Sequence, residues 1–193
     1  MVEVAEALAR VVKAHGPIRG LVFGAGVLAD KLIADKTPEQ FDSVFLTKVA
    51  GLRHLLNALD LSQLRVLALF SSSTARFGRA GQSDYAMANE VLNKAARLLS
   101  RRLAHCRVAA FDWGPWDGGM VNESLKKLFA AEGVGVIGLE EGGRFLVDEL
   151  SGDCRAVEVV AISKPAAKPQ PSGLSGVFER KVSVEDFPFL ASH

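Results

Sequence analysis

Arg65-Val-Leu-Ala-Leu-Phe70 runs directly into Ser71-Ser72-Ser73. A continuous apolar run closed at both ends by polar residues is what a parallel strand covered on both faces requires. Upstream, Gly20-Leu-Val-Phe-Gly24 reads as a shorter buried strand ending in the small-residue turn Gly24-Ala25-Gly26. Between the two, Thr37-Pro38-Glu-Gln40 opens a helix that reaches about Ala58. Thr37 fits the N-cap, Pro38 the first helical position, and Gln40 the third residue after the cap. The expected apolar stripe of this helix is Phe41, Phe45, Val49, Leu52 and Leu56. Val2 to Ala14 also has helical periodicity, with Val4, Leu8, Val11 and Val12 on one stripe before His15-Gly16-Pro17 stops it. Downstream of the serines, Phe77-Gly-Arg-Ala-Gly81 is a loop, and a long helix runs from about Ser83 to Leu103. Cys106 to Phe111 is a third strand, followed by the turn-rich Trp113-Gly-Pro-Trp-Asp-Gly-Gly119. Helical segments near Asn122–Ala131 and Leu139–Leu150 precede a fourth strand, Ala156 to Ala161. Strands alternating with helices predict an α/β fold with a parallel sheet and right-handed crossovers. The Trp113 loop then lies beyond a strand's carboxyl end, where open α/β sheets bind ligands.

The chain has 193 residues, 49% of them hydrophobic and 23% charged, with a formal net charge of +1. This composition excludes global disorder, and the charge argues against a dedicated nucleic-acid binder. No apolar run approaches the roughly 20 residues of a membrane span. The acidic start, Met1-Val-Glu-Val-Ala-Glu6, is not a secretory signal. Cys106 and Cys154 have no His partners at metal-ligand spacing, so no metal site is expected and both read as reduced, mostly buried thiols of a cytoplasmic protein. Residues 164–173 hold three prolines and no apolar period, the signature of an extended linker. Residues 174–193 are too few to build a core. The expected organisation is a folded unit over 1–163, a linker over 164–173, and the start of a following domain over 174–193.

Tyr85 is the only tyrosine in the chain. It falls near the start of the long helix with Asn89 four residues on, so both lie on one helix face. Ser72 ends the second strand, and Lys48 belongs to the preceding helix. These four residues suit a proton-transfer site. A tyrosine with a pKa near 10 is a poor acid or base at pH 7, and an adjacent ammonium favours its phenolate. A serine hydroxyl can hold a carbonyl oxygen, and an asparagine can fix the lysine or a relay water. Taken singly, each has an ordinary reading: a packing tyrosine, a capping serine and a solvated surface lysine.

The stretch from Phe70 to Asn89, Phe-Ser-Ser-Ser-Thr-Ala-Arg-Phe-Gly-Arg-Ala-Gly-Gln-Ser-Asp-Tyr-Ala-Met-Ala-Asn, resembles the catalytic segment of ketoreductase domains of polyketide synthases and multidomain fatty acid synthases. The resemblance begins at Arg19-Gly-Leu-Val-Phe-Gly-Ala-Gly-Val-Leu-Ala-Asp30, passes through Phe41 to Lys48, and ends in Trp113-Gly-Pro-Trp-Asp-Gly-Gly-Met120. It implies a Rossmann-like fold of the short-chain dehydrogenase/reductase superfamily. Most of that superfamily places lysine four residues after the tyrosine. This branch has asparagine there and takes its lysine from the preceding helix, as Asn89 and Lys48 do here. By this resemblance Ser72 and Tyr85 bind and protonate a ketone while Lys48 and Asn89 tune the tyrosine. The same resemblance implies that Gly24, Ala25, Gly26 and Pro115 form the nicotinamide-facing wall. The implied reaction is NADPH-dependent reduction of a β-ketoacyl thioester carried on the phosphopantetheine of an acyl carrier protein. Ser71 to Gly78 and Leu125 to Ala130 look most like the polyunsaturated fatty acid synthase subtype.

Two departures stand out. A Leu-Asp-Asp stereochemical marker is Leu28-Ala29-Asp30 here, and the tryptophan of the opposite class is Phe77, so the alcohol's handedness stays open. No Gly-rich strand-to-helix turn is present to hold a pyrophosphate. The chain is therefore expected to be the carboxyl half of the fold, inactive without a partner half that supplies this grip. The alternative is a non-catalytic half-domain that braces its neighbours; a two-chain enzyme is a third reading. Val184 to His193 resembles the opening of a hot-dog dehydratase domain, with His193 at the position of its catalytic base. Arg97, Arg101 and Arg102 form a basic helical edge, read as a solvated face or a carrier-protein docking site. The Asn122–Ala131 helix resembles the family's lid over the active site.

Overall fold

A computed structural model describes residues 2–119, 121 and 123–163. Met120, Asn122, the residues 164–173 expected as a linker and the segment 174–193 with His193 lie outside the described residues. Four parallel strands form one sheet in the order β1 (Gly20–Phe23), β2 (Val66–Ser72), β3 (Arg107–Trp113) and β4 (Glu158–Ala161). Connecting them are α2 (Pro38–Ala58), the short α3 (Ser73–Phe77), α4 (Ser83–Arg102), α5 (Glu123–Glu132) and α6 (Leu139–Ser151), while α1 (Val2–His15) precedes β1.

The strand pattern explains the layers. Successive side chains of a strand point to opposite faces. Leu67 and Leu69 of β2 enter a core with Leu52 of α2 and Leu92 and Ala96 of α4. Ala68 points the other way, into a core with Ala109, Phe111, Trp113 and Ile137, where Phe145 of α6 packs. Both faces are covered, as the uninterrupted apolar run requires. β2 and β3 pair from Val66–Arg107 to Ser72–Trp113, so β2 runs past the apolar run and ends at Ser72, as expected.

The capping box at the start of α2 forms. Thr37 Oγ1 accepts from the Gln40 N–H at 3.3 Å, and the Thr37 N–H donates to Gln40 Oε1 at 3.1 Å. The buried face of α2 differs from the expected stripe. It is Val44, Lys48 and Leu52, with a lysine at its centre. Phe41 and Phe45 instead stack on each other with ring centroids 5.5 Å apart, only partly covered. On α1, Val11 and Val12 are each 44% exposed, so half of its stripe is open. The Asn122–Ala131 helix starts at Glu123, and the strand read from Cys106 runs on to Trp113.

Candidate active site

The carboxyl ends of β1, β2 and β3 open onto a cavity of about 930 Å³. Gly24, Gly26, Lys48, Ser72, Tyr85 and Pro115 all line it. Ala25 is exposed and does not, and Asn89 is fully buried behind Tyr85.

Ser72 closes β2 and caps α3. Its Oγ accepts the Thr74 N–H at 3.2 Å. The cap fixes the oxygen and leaves the hydroxyl proton to donate toward the cavity. The capping and the carbonyl-holding readings of this serine are therefore compatible.

Tyr85 lies in the first turn of α4. Two contacts set that turn. Lys36 Nζ donates to Asp84 Oδ2 at 2.6 Å, with both side chains at 3% exposure or less, and also to Ala29 O at 2.7 Å. One turn on, Asn89 Nδ2 donates to Tyr85 O at 2.8 Å, and Ser71 Oγ donates to Asn89 O at 3.1 Å, tying α4 to β2.

Lys48 is 3% exposed. Its Nζ donates to Phe70 O at 2.9 Å and lies 5.6 Å from the centroid of the Tyr85 ring. No carboxylate among the described residues pairs with it. Burial holds its pKa at about 8, below the ordinary 10.5. The surface reading of this lysine is thus replaced by a buried one. Gly26 makes room for it, since a Cβ at Gly26 would come within 3.3 Å of Lys48 Cε.

The expected lowering of the tyrosine's pKa is not what the structure shows. Burial raises the Tyr85 phenol above 10, hydrogen bonding with the Asn89 and Ser72 side chains opposes that rise, and the charge of Asp30 adds to it. The lysine faces the ring, and desolvation outweighs the other effects. Tyr85 consequently keeps its proton at neutral pH.

Aromatic side chains build another wall. Trp113 and Trp116 meet edge to face at 4.7 Å, Phe70 lies 5.5 Å from Trp113, and Phe145 backs Trp113 at 5.9 Å. A glycine inside α6 allows this: a Cβ at Gly142 would fall 2.4 Å from the Trp116 ring. Leu125, Leu128 and Phe129 of α5 line the cavity, and Arg79 anchors that helix. Its guanidinium pairs with Glu132 at 3.1 Å and 3.2 Å and lies 4.9 Å from the Phe129 ring. The segment read as a lid thus faces the site.

Sequence reasoning did not identify Gln82. Its Nε2 donates to Asp30 Oδ2 at 2.8 Å, and its Oε1 accepts from Thr74 Oγ1 at 3.3 Å. This side chain joins the loop after β1 to α3, a contact between residues 52 positions apart that no local pattern signals. Arg97 of the basic edge is held by Glu158 at 2.7 Å, so it is not a free cation.

Comparison with known proteins follows the same geometry. The profile of the KR domain family matches residues 1–118. This chain belongs to the ketoreductase domain family. One of the polyunsaturated fatty acid synthase polypeptides of Thraustochytrium is 41% identical over 179 residues, covering 92% of this chain and 6% of that protein. Polyketide synthase GfsA of Streptomyces halstedii is 42% identical over 136 residues, covering 70% of this chain and 2% of its own length. The chain therefore spans a small part of these relatives. An N-terminal ketoreductase from the macrolactin assembly line superposes with a TM-score of 0.74 at 26% identity, covering 84% of this chain and 32% of that structure. The first ketoreductase of the tylosin synthase gives 0.67 at 33% identity, covering 83% and 35%. Domains of this family bind a nicotinamide cofactor. Among the described residues no helix is long and apolar enough to cross a membrane.

Proposed function

We propose that this chain carries the proton-transfer half of an NADPH-dependent reductase acting on β-ketoacyl thioesters bound to an acyl carrier protein. The carrying observation is the convergence of Ser72, Tyr85 and Lys48 on one cavity beside the side-chain-free strip of Gly24 and Gly26. That strip fits the flat nicotinamide end of the cofactor. A Cβ at Gly24 would rest 3.7 Å from the Phe70 ring, and one at Gly26 would press on Lys48. The described residues provide no Gly-rich turn for the pyrophosphate, because β1 is followed by a loop through residue 37 before α2 begins. A second, Gly-rich half of the fold is the partner that supplies it. Hydride comes from the reduced nicotinamide when it is bound.

The chain's own residues do the rest. Ser72, with its oxygen fixed by the α3 cap, donates a hydrogen bond to the ketone oxygen and keeps its proton. Tyr85 delivers the proton that the forming alkoxide takes up. Lys48 keeps a positive charge against the Tyr85 ring below about pH 8 and stabilises the phenolate left behind. Asn89 holds the first turns of α4, and so the tyrosine, in place. The apolar wall of Leu125, Leu128 and Phe129 suits an acyl chain.

The test is ketone-dependent NADPH oxidation by a polypeptide joining this chain to the Gly-rich half, compared with its Tyr85→Phe variant. Turnover is expected from the joined protein. The variant should lose it by roughly 100-fold or more, the scale of a lost general acid, while cofactor affinity stays close to unchanged. Near-normal turnover in the variant would overturn the assignment and leave the bracing half-domain as the better reading.

A further inference from the structure

The amino ends of the strands carry a second, unrelated feature. Arg65 immediately precedes β2, Arg107 opens β3, and Arg155 stands three residues before β4. Their elements are neighbours in the sheet. Val66 pairs with Arg107, and Ala110 pairs with Glu158, so stepping back three residues from the latter pair reaches Arg107 and Arg155. The three arginines, with Ser100 and His105, line a polar cleft of about 590 Å³. No aspartate or glutamate among the described residues lines it.

How these arginines are held matters. Arg65 Nη1 donates to Ser62 O at 2.8 Å and Leu64 O at 3.2 Å. Arg107 Nη1 donates to Val108 O and Ala156 O, each at 3.0 Å, and Nη2 to Glu149 O at 3.4 Å. Its Nε is buried with no partner. Arg155 has neither a hydrogen bond nor an ion pair among the described residues. Carbonyls thus orient two of the guanidinium groups without neutralising any of the three charges. By contrast, Arg76, Arg79, Arg97 and Arg144 each pair with a glutamate at 2.7–3.1 Å.

Like charges on adjacent strands repel. A bound anion converts that repulsion into attraction, and guanidinium forks match the oxygens of a phosphate. We propose that this cleft is a binding site for a small phosphate-bearing anion, separate from the cavity at the carboxyl ends. The two sites lie at opposite ends of β2, about 20 Å apart at roughly 3.3 Å per residue.

Calorimetric titration of the 193-residue chain with inorganic diphosphate at low salt tests the proposal. Saturable binding is expected. Arg155→Ala should weaken it by roughly tenfold, the scale of a lost charged hydrogen bond, and Arg65→Ala combined with Arg155→Ala should weaken it further. Arg101→Ala with Arg102→Ala, which removes exposed charge outside the cleft, should leave it unchanged. Arg155 is exposed and holds no other group, so its variant keeps the fold, which circular dichroism verifies. A second titration with glycerol 3-phosphate separates the sources of the phosphate. Binding of both compounds supports recognition of phosphate monoesters, and binding of diphosphate alone supports a free polyphosphate. Absence of saturable binding by the parent chain overturns the proposal. So does equal affinity in the Arg65→Ala, Arg155→Ala variant, or an equal loss in the Arg101, Arg102 control.

Discussion

The side chains of Lys36 and Lys48 are both almost hidden from solvent, yet they are kept there on opposite terms. Lys36 joins the loop after β1 to the start of α4 through a paired charge, Asp84, and a carbonyl. Lys48 has a carbonyl, an aromatic face and no counter-charge among the described residues. The first arrangement is cheap to maintain and costly to break. The second is costly to maintain, and its removal relieves the protein. A buried lysine with a counter-charge is held by its pair, while Lys48 beside the cavity is held against its own desolvation, which is what makes it a candidate for the proposed chemistry.

The largest expected effect breaks the pair. Lys36→Met leaves the Asp84 carboxylate buried without a counter-charge, its remaining partner the Tyr85 N–H at 2.9 Å, and should cost about 3–5 kcal/mol in urea denaturation. Adding Asp84→Leu should recover most of that loss, because the pair in its entirety contributes little net stability. Failure of the second substitution to rescue would mean that Asp84 matters for more than its charge.

Next comes the opposite sign. Lys48→Met should stabilise the chain by about 1–2 kcal/mol at pH 7, the relieved desolvation being offset in part by loss of the bond to Phe70 O. In the joined protein the same change should abolish reduction. The gain has a defined pH window. The unfolded lysine titrates near 10.5 and the folded one near 8. Below pH 8 both states carry the charge, and the folded state bears the full cost. Between 8 and 10.5 the folded state sheds its proton first, so the parent's stability rises with pH relative to the variant. Melting temperatures of the two proteins from pH 7 to 10.5 should converge and then cross, because the neutral buried lysine keeps its bond to Phe70 O; parallel curves would refute the burial account.

The smallest effect refines the comparison. Gly26→Ala sets a methyl within 3.3 Å of Lys48 Cε and 3.6 Å of Nζ. The flexible lysine can give way, so stability should change by less than about 1 kcal/mol. Reduction by the joined protein should fall more than cofactor affinity does. A Gly26→Ala protein with unchanged turnover would show that the lysine tip does not need its present position.

Much of this was legible in the sequence, for identifiable reasons. The capping box at Thr37 and the apolar run at Arg65–Phe70 are local signals, and both elements form where those signals stand. The burial of Lys48 was not legible. Phe41 and Phe45 share a helical stripe and outrank a lysine by hydrophobicity, but their stacking satisfies them without the sheet. Helix α3 was missed because its cap, Ser72, also reads as the end of a strand. Tyr85 and Ser72 line one cavity, and the sign of the tyrosine's pKa shift depends on burial, which spacing does not reveal.

The contact between Gly142 and Trp116 ties the histories of two distant positions together. Any side chain at 142 collides with the indole at 116, and Ile137 at 2.9 Å blocks the remaining escape. A descendant of this chain can enlarge position 142 only after position 116 has shrunk, and the order of those two steps cannot be reversed without passing through a damaged wall of the cavity. Across related chains, a residue larger than glycine at 142 should occur only beside a residue smaller than tryptophan at 116.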